Sequence, residues 1–160
     1  MLFVCSIVLI PVTASESFAQ ATTKTVNGRP YTFLRGSFSQ RDAWREAERR
    51  GGYPVVFDSL QEHTLVVNAF GLGRRAEDVA WTGHYQQPFG QEPFGAWTTY
   101  GSRFSASIYL LFNGNGPDDG ITRNSPLGKN EDGGVIWKDN NGLLEDVSEN
   151  FRANVMIEYR

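Results

Sequence analysis

Three observations predict an α+β fold with antiparallel sheets. Two helices, each opened by a serine cap, fall early in the chain, and five or six short strands fall mostly late. Between the later strands lies a polar stretch, Asn113–Asp146, too rich in Gly, Asn and Pro for helix and too polar for core. Segregation of helices from strands is the pattern of α+β rather than alternating α/β domains. At 160 residues the chain is expected to form one domain, with a core large enough to fold without staples.

Taken in order, Thr25–Ser37 opens on an Asn-Gly turn and then reads as a strand through Tyr31, Phe33 and Leu34. Ser39 with Asp42 three residues on is close to a capping box, and Gly51-Gly52 is a stop, so Gln40–Arg50 is predicted helical with Ala43, Trp44, Ala47 and Arg50 inward. Tyr53–Phe57 is a short apolar run, extended or strand. Ser59-Leu60-Gln61-Glu62 is a full capping box and starts a second helix through about Ala69, its inner face assigned to Leu60, Leu65, Val66 and Ala69. Val79–Tyr85, Ala96–Tyr100, Ala106–Phe112, Gly134–Trp137 and Asn154–Tyr159 are strand candidates. Because the chain closes on the apolar VMIEY, its two ends are expected to share a sheet.

Residues 1–21 stand apart. Leu2–Val12 has the length of a signal-peptide core, and Ala19-Gln20-Ala21 fits the small-x-small cleavage pattern, so processing near Thr22 is expected, leaving a domain over residues 25–160. The run is too short to span a bilayer, and no Lys or Arg precedes it; a retained anchor is the alternative reading. The only cysteine, Cys5, lies within it. The remaining chain would hold no disulfide, thiol nucleophile or Cys-based zinc site, which points to a secreted or periplasmic protein held together by packing. A formal charge of −3 gives no reason to expect nucleic acid or an anionic membrane as partner.

The order of motifs resembles a C-type lectin-like domain over most of Tyr31–Tyr159, roughly four-fifths of the chain. Ala43, Ala47 and Gly51-Gly52 hold the spacing of the family's first helix, with Ala47 at a cysteine position. Ser59…Glu62 resembles the start of its second helix, and Trp81-Thr82-Gly83-His84 its Trp-Ile-Gly-Leu strand. Trp97…Gly101-Ser102 and Tyr109-Leu110-Leu111-Phe112 follow in place, the latter resembling the entry to the long loop. Pro117 stands where the family has a cis-proline between two sugar-reading residues. Glu131-Asp132-Gly133, Gly142-Leu143-Leu144-Glu145-Asp146 and Val155-Met156-Ile157-Glu158 resemble its closing motifs. The resemblance implies two helices packed on small antiparallel sheets with a long irregular loop region. Its disulfide positions are taken by Ala47, Ile157, Gly133 (or Gly134) and Glu149, so this member would be disulfide-free, with apolar contact between Ala47 and Ile157 in place of one bridge.

The loop's oxygen donors suit a hard cation such as calcium, which takes six to eight oxygen ligands, although Asp, Asn and Gly are also what solvated turns need. By the resemblance, the ligand-binding residues would be Pro117, Asp118, Glu131, Glu145 and Asp146, with calcium on Asp118, Glu131, Glu145 and Asp146. One expected ligand is missing: Gly116-Pro117-Asp118 stands where sugar-binding members carry Glu-Pro-Asn or Gln-Pro-Asp. The expected function is a non-catalytic, exported carbohydrate-binding module that takes a carbohydrate or glycoconjugate through calcium, with Trp137 a candidate for stacking on the sugar. The alternative is a calcium-independent module whose loop recognises a protein surface. No G-x-S-x-G, P-loop or H-E-x-x-H motif argues for an enzyme, and His63 and His84 are single and read as helix-surface or strand residues.

Overall fold

The computed structural model describes residues 20–87, 97–102, 110–112, 132–138 and 140–160. Ala21–Val26 (β1) and Arg29–Phe38 (β2) form a hairpin closed by Asn27-Gly28, both at positive φ (49° and 80°), the turn that Asn-Gly favours between twisted strands. The sequence suggests only the second of these strands. β1 is polar and almost wholly exposed, and without apolar alternation only its pairing with β2 makes it a strand.

Gln40–Arg49 (α1) follows. The Ser39 side chain accepts from the Asp42 N–H, and Gly51 at φ 74° ends the helix. Ala43 and Ala47 are fully buried, and Trp44 is half-buried. Tyr53–Pro54 (β3) is a two-residue strand, and Val55–Phe57 runs on as buried extended chain. Leu60–Phe70 (α2) starts on Ser59, which accepts from the Glu62 N–H, and ends on Gly71 at φ 68°.

The inner face of α2 differs from the expectation. His63, Val66 and Val67 are buried, whereas Leu60 and Leu65 are 43% and 40% exposed. The stripe runs i, i+3, i+4 from the histidine, because the imidazole has a carbonyl to bond and the Phe57 ring to pack against edge-on at 4.9 Å. Ala80–Gln86 (β4), Trp97–Thr99 (β5), Gly133–Ile136 (β6), Leu144–Val147 (β7) and Ala153–Glu158 (β8) complete the described strands. Of the Ala106–Phe112 candidate only 110–112 are described; the rest lies outside.

The strands form one eight-stranded sheet in the order β1-β2-β8-β4-β6-β7, with β3 added on β8 and β5 on β4. The two ends of the described chain share it, as expected: β2 and β8 pair antiparallel from Tyr31↔Glu158 to Phe38↔Ala153. One pair departs from the antiparallel expectation, since β4 and β8 run parallel (Ala80↔Asn154, Trp81↔Val155).

The central strands are buried on both faces. Phe33, Ile136, Leu144 and Met156 pack with Val66 and Val67 of α2 on one side. Leu34, Val135, Val155 and Ile157 pack with Ala43 and Ala47 of α1 on the other. Alternation along each strand divides the two sets, so the helices sit on opposite faces. This leaves β7 as the last strand in the sheet order, paired with β6 on one side and bridged to Phe112 at Leu144 on the other.

Candidate functional site

Two of the residues that pointed to a ligand, Glu145 and Asp146, lie on the β6–β7 hairpin. Its register is Gly133↔Val147, Gly134↔Asp146, Val135↔Glu145 and Ile136↔Leu144. The Trp137 N–H to Leu143 carbonyl bond (3.1 Å) closes it. Between the strands a tight turn, Asn140–Gly142, places Asn141 and Gly142 at φ 59° and 76°. Asn tolerates that region and Gly enters it freely.

This turn is clamped from beneath. His63 Nε2 lies 2.7 Å from the Gly142 carbonyl; a carbonyl only accepts, so the proton is on Nε2. Gly73 (φ 76°) presses on the same turn, where a Cβ would fall 2.3 Å from the Gly142 nitrogen.

Of the expected site residues, two are described, and both lie on β7. Glu145 is half-buried and faces the same side as Val135; Asp146 is 3% exposed and faces the opposite side, beside Leu144. Pro117, Asp118 and Glu131 lie outside the described residues. Among the described residues no three His, Cys, Asp or Glu side chains cluster as a metal site needs.

The described ends of the loop nevertheless bear directly on β7. On the way out, Phe112 bridges to Leu144, and the Leu144 N–H donates to the Leu111 carbonyl (2.8 Å). On the return, the Gln86 N–H donates to the Asp132 carbonyl (2.8 Å) and Gly133 pairs with Val147. The segment 113–131 therefore starts and finishes at opposite ends of one four-residue strand, about 10 Å apart at strand rise. Both carboxylates of β7 are hard oxygen donors of the kind calcium takes. They alternate across the sheet, so one cation could meet both only beside the strand's edge away from β6, beyond the Leu144 end that Leu111 and Phe112 occupy.

Three residues raised by the sequence have structural roles. Trp137 is half-buried and packs on the α1-side core, its ring centroid 6.0 Å from that of Phe151, with Lys138 Nζ 5.7 Å from the ring. His63 was expected on a helix surface but is 2% exposed; burial lowers its pKa, partly offset by the Gly142 carbonyl. His84 is fully buried on β4, and burial, aided by nearby His63, pushes its pKa down to about 3. The Thr82 hydroxyl donates to the Gly134 carbonyl (2.8 Å), so towards His84 Nδ1 at 3.3 Å it can only accept. Both imidazoles are thus neutral and oriented at physiological pH. The sequence held one signal for His63: it stands at the position of α2 where a buried side chain is required, with Val66 and Val67 at i+3 and i+4.

No family model matches the sequence, and no curated protein matches it. Solved structures do match. The carbohydrate-recognition domain of the mouse scavenger receptor C-type lectin aligns over 85% of this chain and 93% of its own, at 18% identity and a TM-score of 0.66. The C-type lectin CEL-I from Cucumaria echinata aligns over the same shares at 19% identity and 0.66. A calcium-independent type II antifreeze protein aligns over 85% and 89% at 12% identity and 0.61. With two helices on a mixed sheet and a long segment anchored at both ends of its last strand, the chain has the C-type lectin-like fold, that of lectin carbohydrate-recognition domains.

Proposed function

We propose that residues 25–160 form a non-catalytic, exported carbohydrate-binding module, made with a cleaved leader over residues 1–21, whose loop holds calcium through Asp118, Glu131, Glu145 and Asp146 beside Pro117. The observation that carries this reading is the anchoring of segment 113–131 at both ends of β7, the strand that bears Glu145 and Asp146. That anchoring supports a reading in which the loop's donors meet those of the strand. When bound, calcium would supply open coordination positions for two vicinal sugar hydroxyls. The same carboxylates would accept hydrogen bonds from those hydroxyls, and charged acceptors make the stronger bonds. His63 and Gly73 hold the turn that leads into β7, so the site rests on a rigid foot.

Among the described residues no helix is long and apolar enough to cross a membrane. The test is calorimetric titration of calcium into chelator-treated protein, followed by retention on immobilised sugars with and without calcium. Saturable calcium binding with calcium-dependent retention supports the reading; absence of calcium binding overturns it.

The second reading is a calcium-independent module whose loop recognises a protein surface. Two observations favour it: Gly116 brings no side chain to the ligand set, and a calcium-independent antifreeze protein shares the fold. Unchanged loop protease sensitivity with and without millimolar calcium would select this alternative.

A further inference from the structure

A cleft of about 450 Å³ opens along α1, apart from the edge of β7, and is within the size range of small-ligand sites. Its floor is aromatic. Trp44 is held by its Nε1 bond to the Thr82 carbonyl (3.0 Å) and meets Tyr85 and Tyr100 edge-on, ring centroids 5.2 Å and 5.1 Å away. All three rings are only half-buried, so none is consumed by the core. The Tyr100 hydroxyl is itself fixed by donating to Glu48.

Around this floor the lining mixes donors and acceptors. Arg41 and Arg45 project from α1, with Glu149 and Asp132 among the other lining residues. One donor stands out. Gln40 lines the cleft and is 8% exposed, yet among the described residues its Nε2 has no hydrogen-bond partner. A buried amide N–H left unpaired costs the full desolvation of the group, which a ligand that accepts from it would recover.

We infer that this cleft binds a neutral polyhydroxylated ring, a single saccharide unit, without calcium. A charged ligand would meet like charge somewhere on a rim bearing both signs. A neutral polyol can accept from Gln40 and the arginines, donate to the carboxylates, and lay its C–H face on the aromatic floor. The two described residues of the calcium reading, Glu145 and Asp146, are not among the cleft's lining residues.

The experiment is saturation-transfer NMR on the full chain with glucose, galactose, mannose and N-acetylglucosamine, each in excess chelator. Transfer to at least one sugar is expected. Gln40→Leu and Tyr85→Leu should each weaken it about fivefold or more. Gln40→Leu deletes an unpaired buried donor, so its melting temperature should hold or rise; lost binding cannot then be ascribed to unfolding. No transfer to any of the four sugars in chelator overturns the inference, as does transfer that survives both substitutions. Transfer seen only with calcium and lost in Asp146→Asn would assign binding to the loop and also overturn it.

Discussion

The two buried histidines make stability fall with acid above the range in which Asp42 and Glu46 act. His84 has its pKa pushed from an ordinary 6.5 down to about 3 by burial. In the unfolded chain it binds a proton below about pH 6.5, whereas in the folded chain it stays neutral, so stability is complete above that pH and is lost as pH falls. Each unit of difference is about 1.4 kcal/mol, so His84 alone should remove roughly 2 kcal/mol between pH 6.5 and pH 4.5. His63, lowered in the same direction, adds to the loss.

The carboxylates held low by partners act further down. Ser39 and Arg152 lower Asp42, and Arg49 and Arg50 lower Glu46, so their contributions persist above the ordinary carboxylate range and disappear only as pH drops through it. Neither Asp42 nor Glu46 therefore contributes to the change between pH 6.5 and 4.5. Urea unfolding across that interval should show the midpoint falling in the parent and a markedly flatter profile in His84→Gln, whatever that variant's absolute stability. A parent whose midpoint does not move, or an equal slope in the variant, would refute the burial argument.

Four other outcomes follow from the packing and the loop. Ile157→Ala should cost about 2–5 kcal/mol by chemical denaturation, because Ile157 is fully buried in the α1-side core with Ala47; a loss near zero would place it on an exposed face. Gly73→Ala should lose about 2 kcal/mol or more in the same assay, combining a left-handed φ with a Cβ pressed on the Gly142 backbone; parental stability would mean that turn is not clamped. Calcium in the ~10⁻⁴–10⁻³ M range of extracellular sites should raise the melting temperature, and Glu131→Gln or Asp146→Asn should abolish the rise while leaving the metal-free fold intact. Mass spectrometry of exported protein should find a start near Thr22; an intact N-terminus in the membrane fraction would support an anchor instead.

What was legible in the sequence was local. Both helix starts were visible because a serine side chain three residues before an acidic one satisfies a helix's free N–H groups wherever it occurs, and the structure has both bonds at Asp42 and Glu62. β8 was visible because all of its residues are buried, leaving an apolar run. β1 and β7 were not, since β1 is polar and β7 alternates Leu-Glu-Asp-Val, which reads as loop until a neighbour pairs with it. His63 misled for a related reason: a polar side chain counts as outward until its buried acceptor, 79 residues away, is known. The α1 cleft had no local signal, as its aromatic residues come from positions 44, 85 and 100.

The absent disulfides show how the fold holds where its relatives use a bridge. At the first position pair, Ala47 and Ile157 lie in one fully buried cluster. Gly52 makes the room: a Cβ there would fall 2.6 Å from Ile157 Cγ2, so the larger side chain occupies space that glycine vacates. A bridge typically contributes 2–4 kcal/mol, and full burial of an isoleucine about 1.5–3, so one term offsets most of the other. At the other positions that the resemblance implies, Gly133 (or Gly134) and Glu149, the replacement is different in kind. Gly133 leaves a gap that the Trp81 ring and Gln40 Nε2 fill, 2.5 Å and 2.9 Å from where its Cβ would be. Trp81 is fixed there by its Nε1 bond to the Phe38 carbonyl (2.8 Å), and the strand beyond is tied to α1 by the Gln40 N–H to Glu149 carbonyl bond (3.0 Å). The cross-link is thus exchanged for a packed indole and a backbone bond, and the exchange places the Gln40 amide at the edge of the α1 cleft. Restoring a side chain with Gly133→Ala should therefore disturb the cleft as well as the core, a coupling that a disulfide at this position would not create.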